Sequence, residues 1–212
     1  MPERLPTRRH SLLPAVFFVA LLGMAMLLPA GKAQAQNADF DACLAFDRKA
    51  CDAVLGAQAG NLTALFMRGL AAELAGDDAA ALQDFDATAG REPRHFGAQL
   101  WRHVAAATLK QSRAAELSAY LANAKQLPAW PRALAELYLE EASPEATLAL
   151  AEAQPQAARA EAVCAAEYHI GRHAYLKGDV EAAKTHFHAA LATGAAHVFE
   201  YQAAERAMAG MK

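Results

Sequence analysis

GLAAELAGDDAAALQDF, residues 69–85, and GRHAYLKGDVEAAKTHF, residues 171–187, carry the same anchors in one register: Gly69, Gly76-Asp77, Ala81 and Phe85 return as Gly171, Gly178-Asp179, Ala183 and Phe187. The offset is 102 residues, three periods of 34. Alanine is abundant in this chain, so its matches weigh little, but two glycines, an aspartate and a phenylalanine held in step do not recur by composition alone. Within each stretch, a glycine followed by an aspartate ends one helix and caps the next. Self-similarity at this period is the mark of stacked helical hairpins.

Stepping by 34 from Gly69 places His103 and Leu137 at the glycine position, and from Ala81 it places Ala115, Ala149 and Ala183 where two helices are expected to cross closely. The Gly76 turn steps to Lys110, Pro144 and Gly178, beside Gln111-Ser112, Ser143-Pro144 and Gly178-Asp179, all breakers or caps. Pro93, Pro128 and Pro155 fall between successive hairpins. The reading is a short helix near 48–56, hairpins at 62–75 with 78–90, 96–109 with 112–124, 130–141 with 143–153 and 158–177 with 179–192, and a last helix near 196–209. That last helix is expected to cap the stack, with Val198, Phe199, Tyr201, Ala204 and Met208 facing the preceding hairpin. Val and Ile are sparse and nothing alternates at period two for long, so the class is all-α.

Leu65, Gly69, Ala81, Phe85 and Pro93 in the first hairpin, with Ile170, Gly171, Ala183, Phe187 and Ala190 in the last, resemble the tetratricopeptide repeat (TPR). The middle hairpins depart from it, lacking the glycine and placing Ala119 and Ala153 where an aromatic is usual. Residues 62–210 are similar in arrangement to the bacterial NlpI-type repeat proteins. The resemblance implies a TPR-like right-handed solenoid of about four hairpins with a C-terminal capping helix. It also implies an envelope adaptor whose partners include proteases and peptidoglycan hydrolases, although the lipidated cysteine of those proteins is absent here.

The N-terminus carries Arg4, Arg8 and Arg9, an apolar run from Leu12 to Leu28, and Ala33-Gln34-Ala35, which reads as a signal peptide over residues 1–35 cleaved after Ala35. The competing reading is an uncleaved inner-membrane anchor. Removing those residues takes four of the 20 basic and one of the 23 acidic side chains, leaving a charge of −6 with histidine neutral. That balance argues against nucleic acid as a partner, because phosphate binding needs clustered Lys and Arg. The expected location is the periplasm or outside the cell. Residues 36–61 form an N-terminal cap holding Cys43 and Cys51. One continuous helix would hold them roughly 12 Å apart, beyond the reach of a disulfide. A bend with Asp47 as N-cap of a new helix permits the bridge, which an oxidising compartment favours over two free thiols.

The concave wall implied by the repeat resemblance comprises Phe66, Leu70 and Glu73, then Leu100 and Val104, then Leu134, Tyr138 and Glu141, then Tyr168, Arg172 and Tyr175. Aromatics with a few charges suit a helical or extended peptide, and the alternative is that these residues pack the hairpins together. His169 and His173, four apart on one helix, supply a competing reading as a Zn²⁺ or Cu²⁺ pair if a third ligand arrives. No catalytic signature or cofactor loop occurs. The expected function is therefore a non-enzymatic adaptor binding another envelope protein, a peptide segment or a second copy of itself, with metal handling as the alternative.

Overall fold

A computed structural model of the protein describes residues 30–211, and the segment 1–29, with most of the expected signal peptide, lies outside them. Among the described residues there are eleven helices and no strand: α1 Ala30–Leu44, α2 Arg48–Ala57, α3 Leu62–Ala75, α4 Asp78–Arg91, α5 Phe96–Thr108, α6 Ala114–Asn123, α7 Ala129–Tyr138, α8 Pro144–Glu152, α9 Gln156–Leu176, α10 Val180–Ala192 and α11 Phe199–Gly210. None of these helices is long and apolar enough to cross a membrane. Several helices start where a short polar side chain can accept from a free amide. The Ala64, Ala80, Ala146 and Ala182 amides donate to Asn61, Asp77, Ser143 and Asp179. Each such cap is worth about 1 kcal/mol.

The repeated motif has a steric explanation. A Cβ at Gly69 would meet the Phe85 ring at 2.6 Å, and one at Gly171 would meet the Phe187 ring at 2.9 Å and the Ala183 carbonyl oxygen at 3.0 Å. Phe85 and Phe187 are fully buried, so in α3–α4 and α9–α10 a ring from the second helix lies directly on the backbone of the first. Only glycine leaves that space.

The middle hairpins obey the period less strictly than the sequence suggests. The left-handed residues that end the first helix of each hairpin are Gly76, Lys110, Glu140 and Gly178, at intervals of 34, 30 and 38 residues. The third turn thus comes four residues before Pro144, which instead sits in the first turn of α8. Counted back from these turns, the counterpart of Gly69 in α7 is the small Ala133, not Leu137. The second helices slip as well: Ala115, Ala119, Ala149 and Ala153 are exposed, and Leu117, Leu121, Thr147 and Ala151 point inward. Helix α7, at 10 residues, is shorter than α3 and α5, and α9, at 21, is longer.

At the N-terminus, Cys43 and Cys51 form a disulfide with Cα atoms 4.6 Å apart. The bend that allows it lies at Phe46, which takes φ 65°, followed by Asp47, whose carboxylate accepts from the Lys49 and Ala50 amides at 2.9 and 3.1 Å. Sequence reading found α2 and the bend but not α1, which runs through Ala35 without a break.

Helix α11 packs on α9 and α10, as expected of a cap, and also reaches α3. Phe199 stands edge-on to Trp101 at 4.9 Å and to Phe46 at 5.3 Å. An Arg206 guanidinium nitrogen donates to the Ala75 carbonyl oxygen, 131 residues away, at 3.0 Å. The end of the array is thereby fastened to its beginning.

Candidate functional site

Closure of the array decides the fate of the expected wall. Leu70, Glu73, Leu100, Val104, Leu134, Tyr138 and Tyr168 are buried, Phe66 and Arg172 are half-buried, and only Glu141 and Tyr175 are exposed. The wall is therefore filled, by contacts among the first helices of the hairpins and by α11, and is not an open groove. Tyr168 stacks between Trp101 at 5.9 Å and Phe187 at 5.6 Å. The Tyr138 hydroxyl lies 2.9 Å from His169 Nδ1, and burial raises its pKa well above the ordinary value.

His169 and His173 are drawn apart by different partners. His169 is fully buried with its Nε2 3.8 Å from Glu200, and His173 Nε2 lies 3.0 Å from Glu140, a carboxylate also held by Lys177 at 2.7 Å. Hydrogen bonds from Lys177 and His173 hold Glu140 below the usual carboxylate range. Among the described residues no group of three or more His, Cys, Asp or Glu could hold a metal ion. Cys164 is buried, and burial pushes its thiol up to about 11, which suits a small core side chain.

Two of the spaces between the helices bear on binding. The larger is a groove of about 870 Å³ bounded by α4, α5, α6 and the α6–α7 connection. Its apolar lining comes from Pro93, Ala119, Tyr120, Leu127 and Pro128, and its charges are Arg94, Arg102 and Lys125 against Glu116. Two buried polar atoms there lack partners. Gln99 donates through Nε2 to the Pro93 carbonyl at 2.9 Å and leaves Oε1 bare, and Arg102 Nε is likewise free. Two Arg132 bonds to the Leu121 and Ala124 carbonyls, at 3.3 and 2.6 Å, pin the connection that forms one lip. Pro93 and Pro128 were legible as breakers, but nothing local marks Tyr120 or Leu127 as neighbours of Arg94.

The smaller space is a polar cavity of about 250 Å³ where α3, α5, α9 and α11 end. Arg172, expected on an open wall, instead donates through Nη2 to Glu73 Oε1 and Thr108 Oγ1, both at 2.9 Å, and lies 3.7 Å from Asp78. Burial raises Glu73 to about 7, against the pull of Arg172, and Asp78 adds to the rise. Burial opposes the charge on Arg172, but the surrounding Tyr168, Glu73, Tyr138 and Asp78 keep its pKa above the usual value. Glu73 Oε2 and Arg172 Nε have no partner.

No protein-family model matches the chain, and no curated protein matches it either.

Proposed function

We propose that this chain is a periplasmic scaffold of the tetratricopeptide type, its four hairpins and α11 forming a right-handed solenoid that binds another envelope protein. The glycine-on-phenylalanine crossings of the first and last hairpins support the repeat assignment. The export-type N-terminal sequence and the Cys43–Cys51 bridge support a compartment outside the cytoplasm. The observation that carries the binding role is the groove between α4 and the α6–α7 connection. It is open and walled by Tyr120, Leu127 and two prolines, with the side chain of the buried Gln99 beneath. Arg102 is shared with Asp86 at 4.0 Å, but Arg94 and Lys125 stand in no ion pair among the described residues and favour an extended segment carrying Asp or Glu. By the family resemblance, the owner of that segment is a protease or a peptidoglycan hydrolase.

A photo-reactive amino acid placed at Tyr120 should cross-link one defined envelope protein in intact cells, and the same group at Tyr175 should not. The double charge reversal Arg94→Glu and Lys125→Glu, at two exposed positions, should abolish the product. A covalent dimer formed by purified protein would identify a second copy of the chain as the occupant. Equal cross-linking at both positions, or product unchanged by charge reversal, would remove the groove as the docking surface.

A further inference from the structure

Helix α11 lies over the aromatic wall with few ties of its own. Val198 gives it no side-chain cap, and its buried residues are Phe199 and two small ones, Ala203 and Ala204. Among the described residues, the one side-chain hydrogen bond that joins it to the rest of the fold is that of Arg206 to the Ala75 carbonyl. His169 Nε2 stands 3.8 Å from Glu200, too far for a hydrogen bond, and has no other partner. The connection before α11 turns at the exposed Gly194, which takes φ 69°. Phe199 is therefore the large anchor, and its ring has two aromatic neighbours of different origin. Trp101, at 4.9 Å, belongs to the wall, and Phe46, at 5.3 Å, belongs to the N-terminal bend.

Phe46 reaches Phe199 because of that bend. Its backbone, at φ 65°, is one that a residue with a side chain adopts only when its surroundings hold it there. The Phe46 and Asp47 amides donate to the Cys43 and Ala42 carbonyls at 3.0 and 3.1 Å, and the disulfide closes the loop around them. Between Ala35 and Leu44, Cys43 is the one buried residue, so the bridge is the firmest fastening of α1, which forms one arm of the bend. We infer that the bridge closes the array at its far end. With Cys43 and Cys51 joined, the bend holds Phe46 on Phe199 and clasps α11 over Trp101 and α9; with both thiols free, α11 swings out at Gly194. The inference rests on the export reading, because the bridge forms in an oxidising compartment. There a disulfide oxidant takes two electrons and two protons from the Cys43 and Cys51 thiols and leaves as a dithiol. The same step completes the polar cavity, whose α11 side is Ala203, Arg206 and Ala207. The chain is thus loose at its C-terminal end while its thiols are reduced, and closed once they are joined.

Hydrogen exchange followed by mass spectrometry tests the clasp on the mature protein, on its paired Cys43→Ala and Cys51→Ala form, and on Phe46→Ala, which keeps the bridge. In the paired variant the amides of α1, α2 and α11 should all exchange faster. In Phe46→Ala those of α11 should do so by roughly tenfold, with α5 and α10 within about twofold of the native protein. A bridge that served only its own end of the chain would not give the second pattern. Phe46→Leu, which keeps an apolar contact with Phe199, should recover most of the protection. Where the paired variant fails to fold by circular dichroism, Phe46→Ala decides. Unchanged exchange of α11 in Phe46→Ala, or a rise of equal size in α5 and α10, would overturn the clasp and leave the export reading intact. The intact mass of protein recovered from the cell envelope tests that reading separately: thiol hydrogens retained on both cysteines would remove it, and with it the coupling of closure to export.

Discussion

Replacing Glu73 by glutamine keeps the shape of the Arg172 contact and removes a carboxyl group whose burial sets it far from its value in the unfolded chain. In the fold it titrates near 7, against an ordinary 4.5. Below pH 4.5 both states hold the proton and the full stabilising contribution is present. As pH rises the unfolded chain gives up its proton first, so stability falls through the window from about 4.5 to 7 and the contribution is gone above it. At 1.36 kcal/mol per pH unit, the separation corresponds to roughly 3 kcal/mol. His103, whose pKa burial lowers, works in the opposite direction at the acid end, but it is common to both proteins and cancels in their difference. Urea unfolding followed by helical circular dichroism at several pH values from 4.5 to 8.5 gives that difference directly. The stability of the native protein minus that of Glu73→Gln should fall by roughly 3 kcal/mol across the range. A difference constant to within about 1 kcal/mol would refute the reasoning, because Arg172 would then offset the whole cost of burying the charge.

Gly171→Leu should cost at least about 1 to 3 kcal/mol in thermal or urea unfolding, since even its Cβ would lie 2.9 Å from Phe187 and 3.0 Å from the rigid Ala183 carbonyl. Tyr168→Ala, which an open wall would tolerate within a few degrees, should instead lose about 3 to 5 kcal/mol by melting, because the ring is 2% exposed and packed on Trp101 and Phe187. Lys110→Gly should raise stability by about 1 kcal/mol, as the position is exposed and takes φ 60°, a conformation that penalises a side chain. Loss of the Cys43–Cys51 bridge, by paired Cys→Ala substitution, should cost about 2.5 kcal/mol on the chain-entropy account and speed hydrogen exchange in α1 and α2 first.

The sequence by itself determined what is written in neighbouring residues. Helix starts at Asp47, Asn61, Asp77, Ser143 and Asp179 depend on side chains two or three positions from the amides they cap, so they could be read without any fold. The Gly69–Phe85 and Gly171–Phe187 crossings were legible because the same steric requirement was met twice, 102 residues apart. A strict period could not reveal that the third turn had moved to Glu140, since removing four residues, close to one helical turn, leaves an apolar face nearly in place. It also misplaced the second helices, whose alanines carry almost no facing signal. What surrounds Tyr168 and Arg172 was beyond local reading altogether. Their burial depends on α11 and α3 meeting across the array, and the cavity joins Glu73 to Arg172 and Ala75 to Arg206 over 99 and 131 residues. The same side chains would line an open wall or a closed core. Only the packing of helices far apart in the chain, which no single stretch encodes, decides which.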